Sequence, residues 1–380
     1  MDKFYLFIIC LYLVISPFYV FDSGLPQPAD YLALTAVLGF VLSGKIKRVI
    51  HYPIVKSLKY LFIIILIVSI ATQFYLLNNG MEGSPYLAII YYAYNFLIFL
   101  LILYLIKLPK FTFYISLFVL ISISLQVTLS VFGIGKGLSR ETIFFNNPNQ
   151  LGYFALLVMS IFVVTPSILR KNKIISFLVT ILCAYLVLLS GSRASLVGIF
   201  VLGIILFVSE GFRFEVKSFL FLLFVLIISI NFLISSDWFV NQWEVIENRS
   251  QAKESTFESE WEVRGYDRIL LYPEYILYGA GEMANKRFTK SLHQLEIHSA
   301  FGNILFSYGI LGFFFFIKFL YQIIKQRLLL NLLIMSPVLL YNLTHQGLRF
   351  TQFWIFLALV FIYSYQESKP KSINYGTNQR

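Results

Sequence analysis

Three arginines and one histidine carry most of the chemistry open to this sequence. Arg193 stands in LLSGSRASLVGIF (188–200), where two apolar runs meet at a turn of small residues. Arg264 and Arg268 stand four apart in EVRGYDRILLYPEYILYGAGE (262–282). On a helix that spacing puts both on one face. His298 opens the apolar run HSAFGNILFSYGILGFFFF (298–316). Guanidinium groups suit bidentate contact with phosphate oxygens. An imidazole titrates near neutral pH and can take a proton from a hydroxyl. Each residue also has a plainer reading. Arg193 can snorkel to lipid headgroups. Arg264 and Arg268 can pair with Asp267 and the preceding glutamates, as surface ions do at little gain. His298 can be a helix cap or an interface residue.

Weaker signals surround these. FNNPNQLGYFALL (145–157) places Asn147 and Asn149 about Pro148, a residue suited to a first helical turn. Such a start either presents amides and N–H groups to a sugar or phosphate, or is a simple cap. Arg140 lies in the short loop before it, and THQGLRF (344–350) puts His345 and Arg349 in a late turn. Gly279-Ala280-Gly281 signals a turn; a lone GxG is weak evidence for a phosphate cradle. SGLPQPADYL (23–32) is an ordinary loop. Cys10 and Cys183 both lie within apolar runs, and the four histidines (51, 293, 298, 345) show no zinc spacing. The reading therefore assigns no metal and no cofactor.

The elements that hold these residues are read from composition. The 380 residues are 58% hydrophobic, 18% aromatic and 13% charged, with mean hydropathy +0.77. Soluble domains carry about 25% charged residues. Repeated apolar runs of about 20 residues match a bilayer core. The expected fold is an all-α polytopic membrane protein of about twelve transmembrane helices, forming a single membrane domain over 1–380. The spans are expected near 4–21, 30–43, 58–77, 86–106, 111–132, 148–168, 174–190, 194–209, 217–235, 299–320, 328–345 and 348–366. With both termini cytoplasmic, nineteen Lys and Arg fall on inner segments. The short outer loops carry four: Lys136, Arg140, Arg193 and Arg349. No acidic residue falls in the middle of an expected span, which argues against an ion-coupled carrier. The +11 net charge then reflects topology and does not point to nucleic acid. One long polar segment, 236–298, is expected as a periplasmic loop or lid between spans 9 and 10. From Asp237 to His298 it holds eleven of the nineteen acidic residues against seven basic ones.

In order and placement, SGLPQPADYL, NPNQLGYFALL, SGSRASLVGIF, the Arg264 segment ending in YGAG, and HSAFGNILFSYGILG resemble the O-antigen ligase and O-antigen polymerase superfamily of bacterial membrane glycosyltransferases. The resemblance covers roughly 146–312. It implies an inverting, metal-independent transferase whose donor is an undecaprenyl-diphosphate-linked oligosaccharide. Arg193, Arg264 and His298 would be the catalytic set. Arg268, Asn147, Asn149, Arg140 and Arg349 are candidate contacts to diphosphate or glycan. Many members carry Trp four residues after the loop arginine; here that position is Arg268, which leaves open which arginine is the equivalent. Glu254, Glu258, Glu260, Glu262 and Asp267 are alternative bases.

The expected activity is an O-antigen or capsule polymerase at the periplasmic face of the bacterial inner membrane. Its acceptor is a sugar hydroxyl on a second lipid-linked unit. A ligase onto lipid A–core is the enzymatic alternative, and a lipid-linked glycan flippase the alternative of another class. Expected partners are the lipid-linked glycan, membrane lipid, and a chain-length regulator and flippase of the same pathway.

Overall fold

The computed structural model describes residues 1–22, 24–134, 140–209, 262, 264–291, 294 and 296–368. The expected ninth span (217–235) and the first part of the polar segment lie outside these residues. So do Glu254, Glu258, Glu260, His293, Lys136, Arg213, Lys217, Lys369, Lys371 and Arg380.

Among the described residues the secondary structure is helical, with no strand. The helices are α1 (Asp2–Ile15), α2 (Pro28–Leu42), α3 (Pro53–Asn78), α4 (Pro85–Leu105), α5 (Phe111–Val131), α6 (Pro148–Val164), α7 (Ile168–Lys171), α8 (Lys173–Ser190), α9 (Arg193–Ser209), α10 (Asp267–Leu271), α11 (Tyr275–Tyr278), α12 (Ala300–Ile324), α13 (Leu328–Thr344) and α14 (Thr351–Ser368). A helix coincides with each of the expected spans except the ninth. By length and hydropathy, five stretches are long and apolar enough to cross a membrane: α3, α4, α5, α8 and the run 300–344. Several others, such as α2 and α6, are apolar but shorter. A multi-pass membrane protein follows from these; the count of twelve remains an expectation from the apolar runs and the charge pattern of the sequence.

Local sequence explains the boundaries. Pro28, Pro53, Pro85 and Pro148 each occupy the first helical turn, where a missing N–H costs nothing and φ is already helical. α8 stops at Gly191 in the left-handed region (φ 59°), the usual backbone for a helix C-terminus. Large apolar side chains such as Ile67, Phe74, Phe200 and Leu329 are exposed, as a lipid-facing surface requires.

The core is built on two helices that are apolar on every side. Residues 151–165 of α6 and its end, and 351–362 of α14, are all buried. A helix hydrophobic all round belongs inside a bundle. α4, α8, α9, α12 and α13 pack about this pair or against its neighbours. Gly152 on α6 admits the turn between α8 and α9: a Cβ there would lie 2.6 Å from Ser190 Oγ and 2.8 Å from Ser192 Cβ. The small residues of Ser-Gly-Ser thus serve close packing as well as the turn.

α12 is broken. Gly309 has φ 66° and ψ −174° inside it. The Gly279–Gly281 segment docks into the break. Ala280 N–H donates to Phe306 O (2.9 Å) and Gly281 N–H to Ser307 O (2.7 Å). The loop thereby satisfies carbonyls that an unbroken helix would pair with its own next turn. Cβ atoms are excluded here by contact: one on Gly309 would lie 2.6 Å from Leu277 O, and one on Gly279 2.7 Å from Ser307 O.

Candidate active site

The cluster is assembled where α6, α9, α12 and α14 begin and α8 and α13 end. Asn147 caps α6; its side-chain oxygen accepts from Asn149 N–H at 2.8 Å. Asn149 Oδ1 in turn accepts from Arg140 Nη2 (2.8 Å), while Arg140 Nε donates to the carbonyl of Ser190 (2.6 Å). Arg140 therefore clasps the end of α8 to the start of α6. Arg193 is the first residue of α9, exposed at the rim beyond Gly191 and Ser192.

From α13 the Tyr341 hydroxyl donates to Asn149 O at 2.9 Å. Its ring stacks between Tyr153 (4.2 Å between centroids) and His345 (4.4 Å). His345 Nδ1 lies 3.0 Å from Thr344 Oγ1. The Arg264 guanidinium donates to the carbonyl of Thr344. Arg140 and Arg264, far apart in sequence, both act electrostatically on the Tyr341 hydroxyl. His298 N–H donates to the carbonyl of Arg264 at 2.9 Å, and Ser299, which caps α12 by accepting from Gly302 N–H, follows directly.

The His298 ring keeps solvent contact. Desolvation lowers its pKa below 6.5, the Arg264 charge pushes the same way, and Glu296 opposes both. Near neutral pH the ring is thus biased toward its uncharged form, able to accept a proton.

The expectation that Arg264 and Arg268 share a helical face is corrected. Gly265 adopts φ 71°, and α10 begins only at Asp267, so the two arginines diverge. Arg268 turns inward and is 1% exposed. Its guanidinium sits 5.1 Å from the Phe288 ring centre and donates to Asn285 Oδ1 at 2.9 Å. Burial lowers its pKa, with the Asp267 charge opposing. With Ala280, Phe288, Ile297 and Phe306, flanked by Tyr272 and Tyr275, it belongs to a small aromatic core beneath the loop. The GxG turn is likewise no phosphate cradle, because the N–H groups of Ala280 and Gly281 are taken by α12.

Arg349 donates to Glu296 and lies 4.0 Å from Glu282 Oε2. These carboxylates hold its pKa up against burial. Glu282 is buried and accepts from Tyr92 OH (2.8 Å) and from Asn303 Nδ2. Burial raises its pKa, partly offset by Arg349. Sequence reasoning passed over Glu282, Glu296 and Tyr341. Glu282 directly follows GAG, the one local signal that could have found it; pairing with Tyr92 across 190 residues leaves no trace in spacing.

Residues 178–317 match the O-antigen ligase family. That stretch contains Arg193, Arg264, Arg268 and His298, and it supports membership of the O-antigen ligase and polymerase superfamily. No curated protein matches the chain.

Proposed function

We propose, on the premise that residues 178–317 match the O-antigen ligase family, that this protein transfers a glycan from undecaprenyl diphosphate to a sugar hydroxyl at the periplasmic membrane surface. The acceptor in this reading is a second lipid-linked repeat unit, which makes the enzyme a polymerase. The observation that carries it is the pairing of Arg264 with His298. One main-chain hydrogen bond ties His298 to Arg264 at one end of the bundle, and burial together with the Arg264 charge lowers the pKa of the imidazole.

In the proposed step the acceptor oxygen attacks the anomeric carbon from the face opposite the diphosphate. The bond from that carbon to the diphosphate oxygen breaks, and undecaprenyl diphosphate leaves with the electron pair. His298 takes the hydroxyl proton, a role typically worth 10²–10⁴-fold. Arg264, with Arg193 at the rim, stabilises charge growing on the leaving diphosphate. Loss of one such donor costs about 10²–10³-fold elsewhere. Arg140, Asn149 and Tyr341 fix the floor of the site. Arg268 and Arg349 are assigned to holding the loop, and Asn147 to capping α6. The donor linkage is already activated, so no nucleotide is required.

The test is a deletion strain complemented with Arg193→Ala, Arg264→Ala and His298→Ala, each checked for membrane expression. Loss of polysaccharide is expected for all three. Full-length product with Arg264→Ala and His298→Ala would overturn the assignment. Core carrying a single repeat unit in the deletion strain identifies a polymerase, bare core a ligase, and accumulation of donor on the inner leaflet a flippase.

A further inference from the structure

At the other end of the bundle lies a cavity of about 220 Å³, where α6 and α14 end and α13 begins. α6 and α13 each run 17 residues, so roughly 25 Å separates it from Arg264 and His298. Its walls are mainly apolar, with Val164, Ile205 and Ile334 among them, and its polar groups are Arg170, Arg327, Asn331, Tyr363 and Ser364. Nothing in the proposed reaction uses these residues.

Arg170, Asn331 and Ser364 are held in place. Arg170 Nη1 donates to Val163 O at 2.6 Å, which fixes the guanidinium at the wall. Ser364 Oγ donates to Asn331 Oδ1 at 2.9 Å, and Asn331 Nδ2 donates to the carbonyl of Ile323 at 3.1 Å. The Tyr363 hydroxyl is buried with no hydrogen-bond partner among the described residues. It lies close enough to Arg170 to feel its charge. A buried hydroxyl without a partner is costly to desolvate, so its position beside an arginine in a cavity calls for a ligand with acceptor oxygens. Arg170, Lys171 and Lys173 on one side and Lys318, Lys325 and Arg327 on the other make this end of the described bundle basic.

We propose that this cavity binds the headgroup phosphate of an anionic phospholipid. Arg170 and Arg327 face the phosphate, the Tyr363 hydroxyl donates to one of its oxygens, and the apolar wall takes the first part of an acyl chain. Basic pockets between membrane helices recognise acidic headgroups in this way. The mixture of two guanidinium groups with an apolar wall favours a lipid over free phosphate, which has no use for the wall. The inference rests on the bundle lying in a membrane and not on the glycosyl-transfer reading.

The experiment is native mass spectrometry of the full chain in detergent, titrated with phosphatidylglycerol, with phosphatidylcholine, or with inorganic phosphate. One phosphatidylglycerol is expected to be retained per chain. Affinity should fall about tenfold in the double variant Arg170→Gln/Arg327→Gln and about threefold in Tyr363→Phe. Lys286→Gln, at the far end of the molecule, should bind as the unaltered chain does. Equal retention of phosphatidylcholine, or displacement of the lipid by millimolar phosphate, would overturn the proposal. So would unchanged affinity in Tyr363→Phe, a variant that removes one oxygen and decides the matter even where the double variant does not fold.

Discussion

His298 donates its main-chain N–H to the carbonyl of Arg264 across 34 positions of sequence, at 2.9 Å. The bond ties the point where the chain re-enters the bundle to the start of the described loop, and sets the two side chains within electrostatic reach. Arg264 is held from its other end as well, through Thr344 of α13. Three separate segments thus meet at one arginine.

The divergence of Arg264 from Arg268 separates their variants. Arg264→Ala should lower transfer from a lipid-linked donor by about 10²–10³-fold; it keeps the main-chain bond to His298 and loses the bond to Thr344, a stability cost of about 1 kcal/mol. Arg268→Ala should instead lower stability by about 1–3 kcal/mol, because its guanidinium fills the aromatic core against Phe288. Detergent-solubilised melting curves alongside a donor-consumption assay separate the two. Loss of activity without loss of stability in Arg268→Ala would exchange their roles.

The downward shift at His298 sets a pH dependence. If its imidazole is the base, activity should rise as pH climbs through a pKa below 6.5 and then level off near neutrality. Removing the Arg264 charge by Arg264→Gln should move that midpoint up, since Arg264 helps depress it. Because the folded value is depressed, the folded state holds its proton less tightly than the unfolded chain. His298 therefore costs stability as pH falls below 6.5 toward the folded pKa. Its contribution is neutral above 6.5. Histidine ring chemical shifts recorded with and without His298→Gln would report the midpoint directly.

Gly309 is held at φ 66° against the backbone of Leu277. Gly309→Ala should destabilise by at least about 1–3 kcal/mol and loosen the Gly279–Gly281 segment from α12. Limited proteolysis between Tyr275 and Phe288 should accelerate. An alanine variant that melts and is cleaved like the unaltered protein would mean that the docked loop is not held by this break.

Glu282 offers a test of buried charge. Glu282→Gln keeps an oxygen for Tyr92 and Asn303 and should be tolerated, since Glu296 still pairs with Arg349. Glu282→Ala strips acceptors from Tyr92 and Asn303 and a countercharge from Arg349; about 3–5 kcal/mol is the expected cost. Chemical or thermal unfolding of both variants measures the difference.

Much of this protein is determined by local sequence. Apolar runs of bilayer length set helices at all the described positions expected to span, because backbone polar groups in such runs can be satisfied only within the segment. Prolines at residues 28, 53, 85 and 148 set where four of them start. The ordered motifs around Arg193, Arg264 and His298 were enough to carry a resemblance to the O-antigen ligase and polymerase superfamily, and the family match over 178–317 supports that superfamily. Tertiary structure decided which residues share a space. Helical spacing alone put Arg264 and Arg268 together; one left-handed glycine between them sends one to Thr344 and the other into an aromatic core. Composition marked Gly279–Gly281 as a turn, but only the break at Gly309 shows where its N–H groups are spent. Tyr341 and Glu296 carried no signal and Glu282 only its place after GAG, since the partners that give them meaning, Asn149, Arg349 and Tyr92, lie 192, 53 and 190 residues away. Periodicity records how a segment meets water or lipid; it holds no record of which distant segment it will meet.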